Sequence, residues 1–203
     1  MVTLVTPTDS PKVFGPPQGR WTLADWETLP DDGNRYEIID GVLYMSTAPS
    51  FFHQWISQQL YDLIGYPAKQ QGVAIPVFAP IGVIMPGCDP IQPDFVIVLK
   101  EHAGIIRDRR IFGVPDLIVE ILSPGNRDFD EDIKFQAYAN AGVPEYAIID
   151  PAPRAIRLFS LQAVGRFGLP QEFTGDQMVS FTCLPGITFR VSQLFEGAPD
   201  TTL

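Results

Sequence analysis

An acidic residue inside an apolar strand is the first chemical oddity of this sequence. The segment PDLIVEIL reads as a strand buried on both faces, with Asp116, Ile118, Glu120 and Leu122 on one side and Leu117, Val119 and Ile121 on the other. An unpaired carboxylate at Glu120 would be costly there, so a raised pKa, a salt bridge, a metal ion or a solvent-reaching strand end must relieve it. Asp94 narrows the choice. It opens the neighbouring apolar run PDFVIVL behind Pro93, which lets its carboxylate lie at the same sheet end. Adjacent strands are about 5 Å apart, whereas Asp116, four residues before Glu120 on one strand, is roughly 13 Å away. Asp94 and Glu120 are the pair expected to share an ion; Asp116 is not.

A lysine adds to this pair. On a helix expected over residues 129–141, Phe129, Ile133, Ala137, Ala141 and Tyr138 fill one arc at about 100° per residue, and Lys134 falls inside it. Its ammonium either snorkels to water or turns back over the sheet toward Glu120. Two carboxylates and a lysine suit a hard divalent cation with a phosphate. Mg²⁺ takes few carboxylates and keeps several waters, which leaves positions for phosphate oxygens. Such an ion polarises a phosphodiester and activates water, while the lysine orients that water or stabilises the developing charge. A glycosidase-type carboxylate pair would leave the lysine unexplained.

The elements that must hold these residues alternate between strand and helix. Thr22 caps a short helix ending near Pro30, and Asp40-Gly41 between YEIID and VLYM signals a two-residue hairpin. A helix is expected from about residue 50 to 64, with Phe52, Ile56, Leu60, Leu63 and Ile64 as its apolar stripe and Gly65 as its C-terminal stop. Strand segments GVAIPVFA and IGVIM follow, broken at Pro80, then PDFVIVL and PDLIVEIL. After the turn SPGNR, which Ser123 helps to shape, Asp128 is placed to cap the Lys134 helix with Glu131 completing a capping box, and Gly142 ends it. The strands EYAIID, AIRLFS and QEFTG and one helical turn at SQLFEG close the chain. This is an α/β pattern, a mixed sheet with helices on its faces.

Composition sets the limits. The 203 residues are 45% hydrophobic and 19% charged, the profile of one folded domain, expected over residues 20–198 behind a flexible Pro/Gly-rich leader at 1–19. Twenty prolines argue against long helices. No apolar run is long enough for a membrane span, which implies no membrane partner and a cytoplasmic location. Cys88 and Cys183 lack any metal-binding spacing. Fourteen basic against 24 acidic residues give a net charge of −10, which repels nucleic acid at long range. Arg107, Arg109, Arg110, Arg127, Lys134 and Arg154 could supply a local basic patch, although the first three also read as a solvated loop.

The pieces YEIIDG, PSFFHQ, QPDFVIV, PDLIVEILSP, the Lys134 helix and AGVPEYAIIDP resemble, in this order, the Uma-two family of the restriction-endonuclease-like PD-(D/E)xK superfamily, over about residues 20–195. The resemblance implies an αβββαβ core with extra N- and C-terminal strands, the superfamily aspartate at Asp94 and its acidic strand residue at Glu120. The lysine expected two positions on is replaced by Leu122, which makes Lys134 the displaced match. Glu37 matches a further family carboxylate, a metal-ligand candidate that also reads as a solvated strand residue. His53 stands as a supporting residue behind the ligands. The implied activity is hydrolysis of DNA phosphodiester bonds by a water activated by Mg²⁺ or Mn²⁺, with DNA held at the metal site. Related nucleases pair as homodimers, for which an exposed Phe135 offers contact surface. The alternative is a catalytically silent nuclease fold serving as a binding or scaffold module.

Overall fold

The computed structural model describes residues 2–4, 13–123, 125, 127–163 and 165–199. In chain order its elements begin with β1 (Val2–Leu4), α1 (Leu23–Trp26), β2 (Arg35–Ile39), β3 (Val42–Ser46), α2 (Phe51–Leu60) and α3 (Tyr66–Gln70). Next come β4 (Ala74–Phe78), β5 (Gly82–Met85), β6 (Cys88–Ile91), β7 (Phe95–Leu99), β8 (Arg110–Phe112) and β9 (Leu117–Ile121). The chain closes with α4 (Phe135–Ala141), β10 (Glu145–Asp150), β11 (Ala155–Gln162), β12 (Arg166–Phe167), β13 (Gln171–Thr174), β14 (Met178–Ser180) and β15 (Thr188–Arg190).

The strands assemble into a seven-stranded mixed sheet ordered β12-β11-β10-β9-β7-β4, with β13 also on β11, and a six-stranded sheet ordered β1-β3-β2-β6-β5-β8. In the larger sheet β9 runs parallel to β10 and antiparallel to β7. The succession α2, β4, β7, β9, α4, β10 is the expected αβββαβ order. Alternation along β9 decides what each face meets. Leu117, Val119 and Ile121 pack with Ile56, Leu60 and Ile64 of the α2 side, whereas Ile118 and Leu122 pack with α4 residues and with Val83 and Cys88 of the second sheet. The large sheet is thus covered on both sides, and Glu120 faces the α4 side.

Several local expectations are met and several are corrected. Asp40 and Gly41 have φ of 49° and 72°, the left-handed pair a two-residue hairpin between β2 and β3 requires. Thr22 caps α1 in a capping box with Asp25. Gly65 does not stop a helix: the chain continues from α2 through a π-type turn, Tyr61–Gly65, into α3. A Cβ at Gly65 would lie 2.8 Å from the Tyr61 ring and 3.1 Å from Pro76, so close packing against β4 is what calls for glycine. The Lys134 helix likewise opens with a π-type turn, Phe129–Lys134, before α4. Asp128 is already helical and caps nothing with its side chain, and Glu131 pairs with Arg127 and Arg157 instead of completing a capping box. The wide turn shifts the helical phase, so Ile133 leaves the apolar arc and is 36% exposed. Gly142 ends α4 with φ of 90°.

Part of the leader expected over residues 1–19 is structured. Val2–Leu4 pairs with β3, and Val13 is buried, while residues 5–12 lie outside the described residues. Positions 124 and 126 of the turn SPGNR also lie outside them. Among the described residues no helix is long and apolar enough to cross a membrane.

Candidate active site

Strand register places the two central carboxylates. Phe95 pairs with Val119 across β7 and β9, so one step further Asp94 lies opposite Glu120 on the same face. Asp116 pairs toward the other end of the strands. It accepts from Leu99 N and from His102 Nδ1, each at 2.7 Å, and belongs to the loop there.

Asp94 is held by three donors. Arg35 Nη1 donates to Oδ1 at 3.0 Å, while His53 Nε2 and Ile121 N donate to Oδ2 at 2.9 and 3.0 Å. The carboxylate can only accept, so Nε2 of His53 carries its proton toward Asp94. Ser50 brings His53 into place by capping α2 through the His53 amide. Nδ1 of His53 is buried without a hydrogen-bond partner among the described residues. Burial alone would raise the Asp94 pKa; the hydrogen bond and charge of His53, with Arg35 and Lys134, hold it well below the usual carboxylate range.

Lys134 turns back over the sheet. It is 2% exposed, and Nζ lies 2.9 Å from Glu120 Oε1, 3.4 Å from Glu37 Oε1 and 3.5 Å from Asp130 Oδ1. Tyr138, one turn on, also donates to Glu120 Oε1. Glu37 is buried, not solvated as its strand position allowed, and accepts from Gln92 N at 2.7 Å. Burial pushes Glu120 well above the ordinary range, opposed by Lys134 and reinforced by Asp94, Asp130 and Glu37. Asp130 is pushed up to about 7, again mainly by burial. The surrounding carboxylates outweigh the burial that would lower Lys134, which stays protonated. Four carboxylates thus surround the cations Arg35 and Lys134, and the cluster holds protons or takes up positive charge.

These groups line a cavity of about 200 Å³ bounded by Glu37, Asp94, Glu120, Asp130 and Lys134, with Ser50 and His53 at its rim. A second cavity of about 330 Å³ meets it at Arg35, His53 and Asp94. Among the described residues no three His, Cys, Asp or Glu side chains form a ready cation cage. The donor set nevertheless fits Mg²⁺, which takes one or two carboxylates and fills its remaining positions with water. Asp94 and Glu120 are hard oxygen donors facing one cavity, and the excess negative charge favours a cation. Glu37 lies against Lys134 and supports that cation.

Sequence reasoning missed Arg35, Asp130 and Gln92. Asp130 carried a signal, since it precedes Lys134 by four residues and therefore shares its helix face. Arg35 meets Asp94 across 59 residues of chain, with no local signature. Half of the proposed basic patch is neutralised: Arg110 pairs with Glu27 at 2.9 Å, Arg127 with Glu131 and Asp150 at 2.9 and 2.7 Å, and Lys134 is buried. Phe135 is not the exposed contact surface expected, because its ring packs against Tyr146, Phe159 and Phe167.

Comparison with known proteins gives the family and a matching fold. The Uma2 family model, described as "Putative restriction endonuclease", matches residues 23–192. A solved structure titled as a "putative nuclease belonging to DUF820" from Anabaena variabilis superposes with a TM-score of 0.72 at 19% identity, covering 86% of this chain and 97% of that one. At that identity the likeness concerns the fold. No curated protein matches the chain.

Proposed function

The chain belongs to the Uma2 restriction-endonuclease family, and from that premise we propose that it is a metal-dependent endonuclease that hydrolyses DNA phosphodiester bonds. The observation that carries this reading is Asp94 opposite Glu120 with Lys134 Nζ 2.9 Å from Glu120, all facing one cavity. Asp94 and Glu120 would hold Mg²⁺ or Mn²⁺. Bound there, the ion supplies Lewis-acid polarisation of a phosphodiester oxygen and activation of water.

The protein's own groups do the rest. His53 and the Ile121 amide fix the Asp94 carboxylate in one orientation, and with Arg35 they keep it ionised in the metal-free protein. Tyr138 and Lys134 hold Oε1 of Glu120, which restricts the side chain and so fixes where its other oxygen lies. Lys134 provides a fixed positive charge beside the reacting phosphate, in a site with little water to screen it. The bulk charge of −10 opposes nonspecific duplex affinity, so binding depends on the site itself.

The experiment is calorimetric titration with Mg²⁺ and Mn²⁺ beside cleavage of plasmid and single-stranded DNA. Glu120→Ala should lose both metal binding and cleavage. Lys134→Ala should keep metal binding while its rate falls about 10²–10³-fold, the scale for deleting one transition-state stabiliser. Wild type and Lys134→Ala cutting equally would remove Lys134 from the chemistry. No cleavage by wild type with either metal would favour the scaffold role.

A further inference from the structure

Arg35 sits on the Asp94 oxygen that neither His53 nor the Ile121 amide occupies. Its Nη1 lies 3.0 Å from Asp94 Oδ1 and 3.3 Å from the Gln92 carbonyl. The opposite oxygen, Oδ2, is closed by His53 Nε2 and by the Ile121 amide. These donors differ in their freedom to move. The Ile121 amide belongs to a central strand and cannot withdraw without opening the sheet. The His53 ring is buried on α2. Arg35 stands at the first residue of β2, its side chain is 20% exposed, and it lines both cavities that meet at Asp94. Of these three donors it is the most exposed, and it can leave by rotating its side chain.

We propose that Arg35 is a resident counter-ion of Asp94 that a divalent cation displaces from Oδ1, and that the freed guanidinium then holds a phosphate of the nucleic-acid strand. The proposal rests on the metal-dependent reading of the same site. Without the metal, Arg35 neutralises a buried carboxylate that would otherwise be costly. With the metal in place, repulsion between the cation and the guanidinium moves Arg35 off Asp94. The guanidinium remains at the junction of the two cavities, where its planar donors match two phosphate oxygens. A charged residue at the start of β2 thereby serves both states of the site, and occupancy by metal prepares the protein for its substrate.

The test measures metal and nucleic acid separately. Mn²⁺ is titrated by calorimetry into wild type, Arg35→Gln and Arg35→Lys, without nucleic acid. Removing the competing charge should tighten Mn²⁺ binding by Arg35→Gln about tenfold or more, given that one neighbouring charge shifts ionic equilibria by this order. Arg35→Lys keeps the charge and should bind Mn²⁺ within about threefold of wild type, a smaller change than a full charge deletion produces. A phosphorothioate oligonucleotide is then titrated in saturating Mn²⁺, and both variants should bind it more weakly than wild type. Should Arg35→Gln not fold, Arg35→Lys alone carries the oligonucleotide arm, and undiminished affinity there overturns the proposal. Unchanged or weaker Mn²⁺ binding by folded Arg35→Gln also overturns it, while wild-type Mn²⁺ binding and DNA cleavage would leave the endonuclease reading intact. Tighter Mn²⁺ binding and weaker oligonucleotide binding, with no cleavage by wild type, would uphold Arg35 and sink the endonuclease reading. If no protein binds Mn²⁺, both fall.

Discussion

Lys134 Nζ sits 2.9 Å from Oε1 of Glu120, and neither side chain is more than 2% exposed. A pair so buried exists at a desolvation cost, and removal of one partner strands the other.

Lys134→Ala should therefore lose about 3–5 kcal/mol of stability in the metal-free protein, the usual scale for breaking a buried pair from one side. Urea unfolding in chelator measures this. Millimolar Mn²⁺ should restore part of the loss, because a divalent ion answers the same uncompensated carboxylates. A loss below about 1 kcal/mol, the scale of an exposed pair, would mean that the ammonium reaches water in solution.

Asp116→Ala should separate structure from chemistry. Its carboxylate receives the Leu99 amide and His102, so the variant should lose about 1.5–3 kcal/mol, the range for hydrogen bonds to a charged group. Metal affinity should stay at the wild-type value. A calorimetric loss comparable to that of Asp94→Ala would place the ion at the wrong end of β9.

Asp130 gives the metal-free protein a pH dependence of definite sign. Its pKa rises on folding from an ordinary 3.8 to about 7. The folded state thus binds the proton more tightly, and this contribution to stability is complete below the unfolded pKa and lost as pH rises through about 7. Asp130→Asn should flatten the decline in thermal stability between pH 5 and 7.5 measured in chelator, and should leave the variant the more stable protein at the upper end. A profile parallel to wild type would show that Asp130 is ionised across the range.

The legible part of the site was the part governed by period two. Alternation put Glu120 on the face it takes, and the position of Asp94 at the start of a neighbouring apolar run put its carboxylate at the same sheet end. The helix was legible in its arc but not in its phase. A step of 100° per residue cannot anticipate the wide turn at Phe129–Lys134, which moved Ile133 into solvent while Lys134 kept its inward direction. Gly65 misled for a related reason, because a glycine chosen for close approach to Pro76 looks, in sequence, like one chosen to end a helix. Arg35 and Gln92 were invisible because β2 pairs with β6, which runs on through Gln92 to Asp94, and nothing local in either segment announces that pairing.

The hydrogen bond from the Ile121 amide to Asp94 makes a side chain serve as the last rung of the β7–β9 ladder. Chemistry and architecture therefore share an atom at this position. If Asp94 holds a cation as proposed, any change at residue 94 would be read twice, once by the cation and once by the sheet, so an inactive Asp94 variant would be an ambiguous control. Glu120 differs, since the bonds it accepts come from side chains alone. A lineage that abandoned catalysis could surrender Glu120 together with Lys134 and keep its sheet, while Asp94 would persist as a structural relic of a reaction no longer performed.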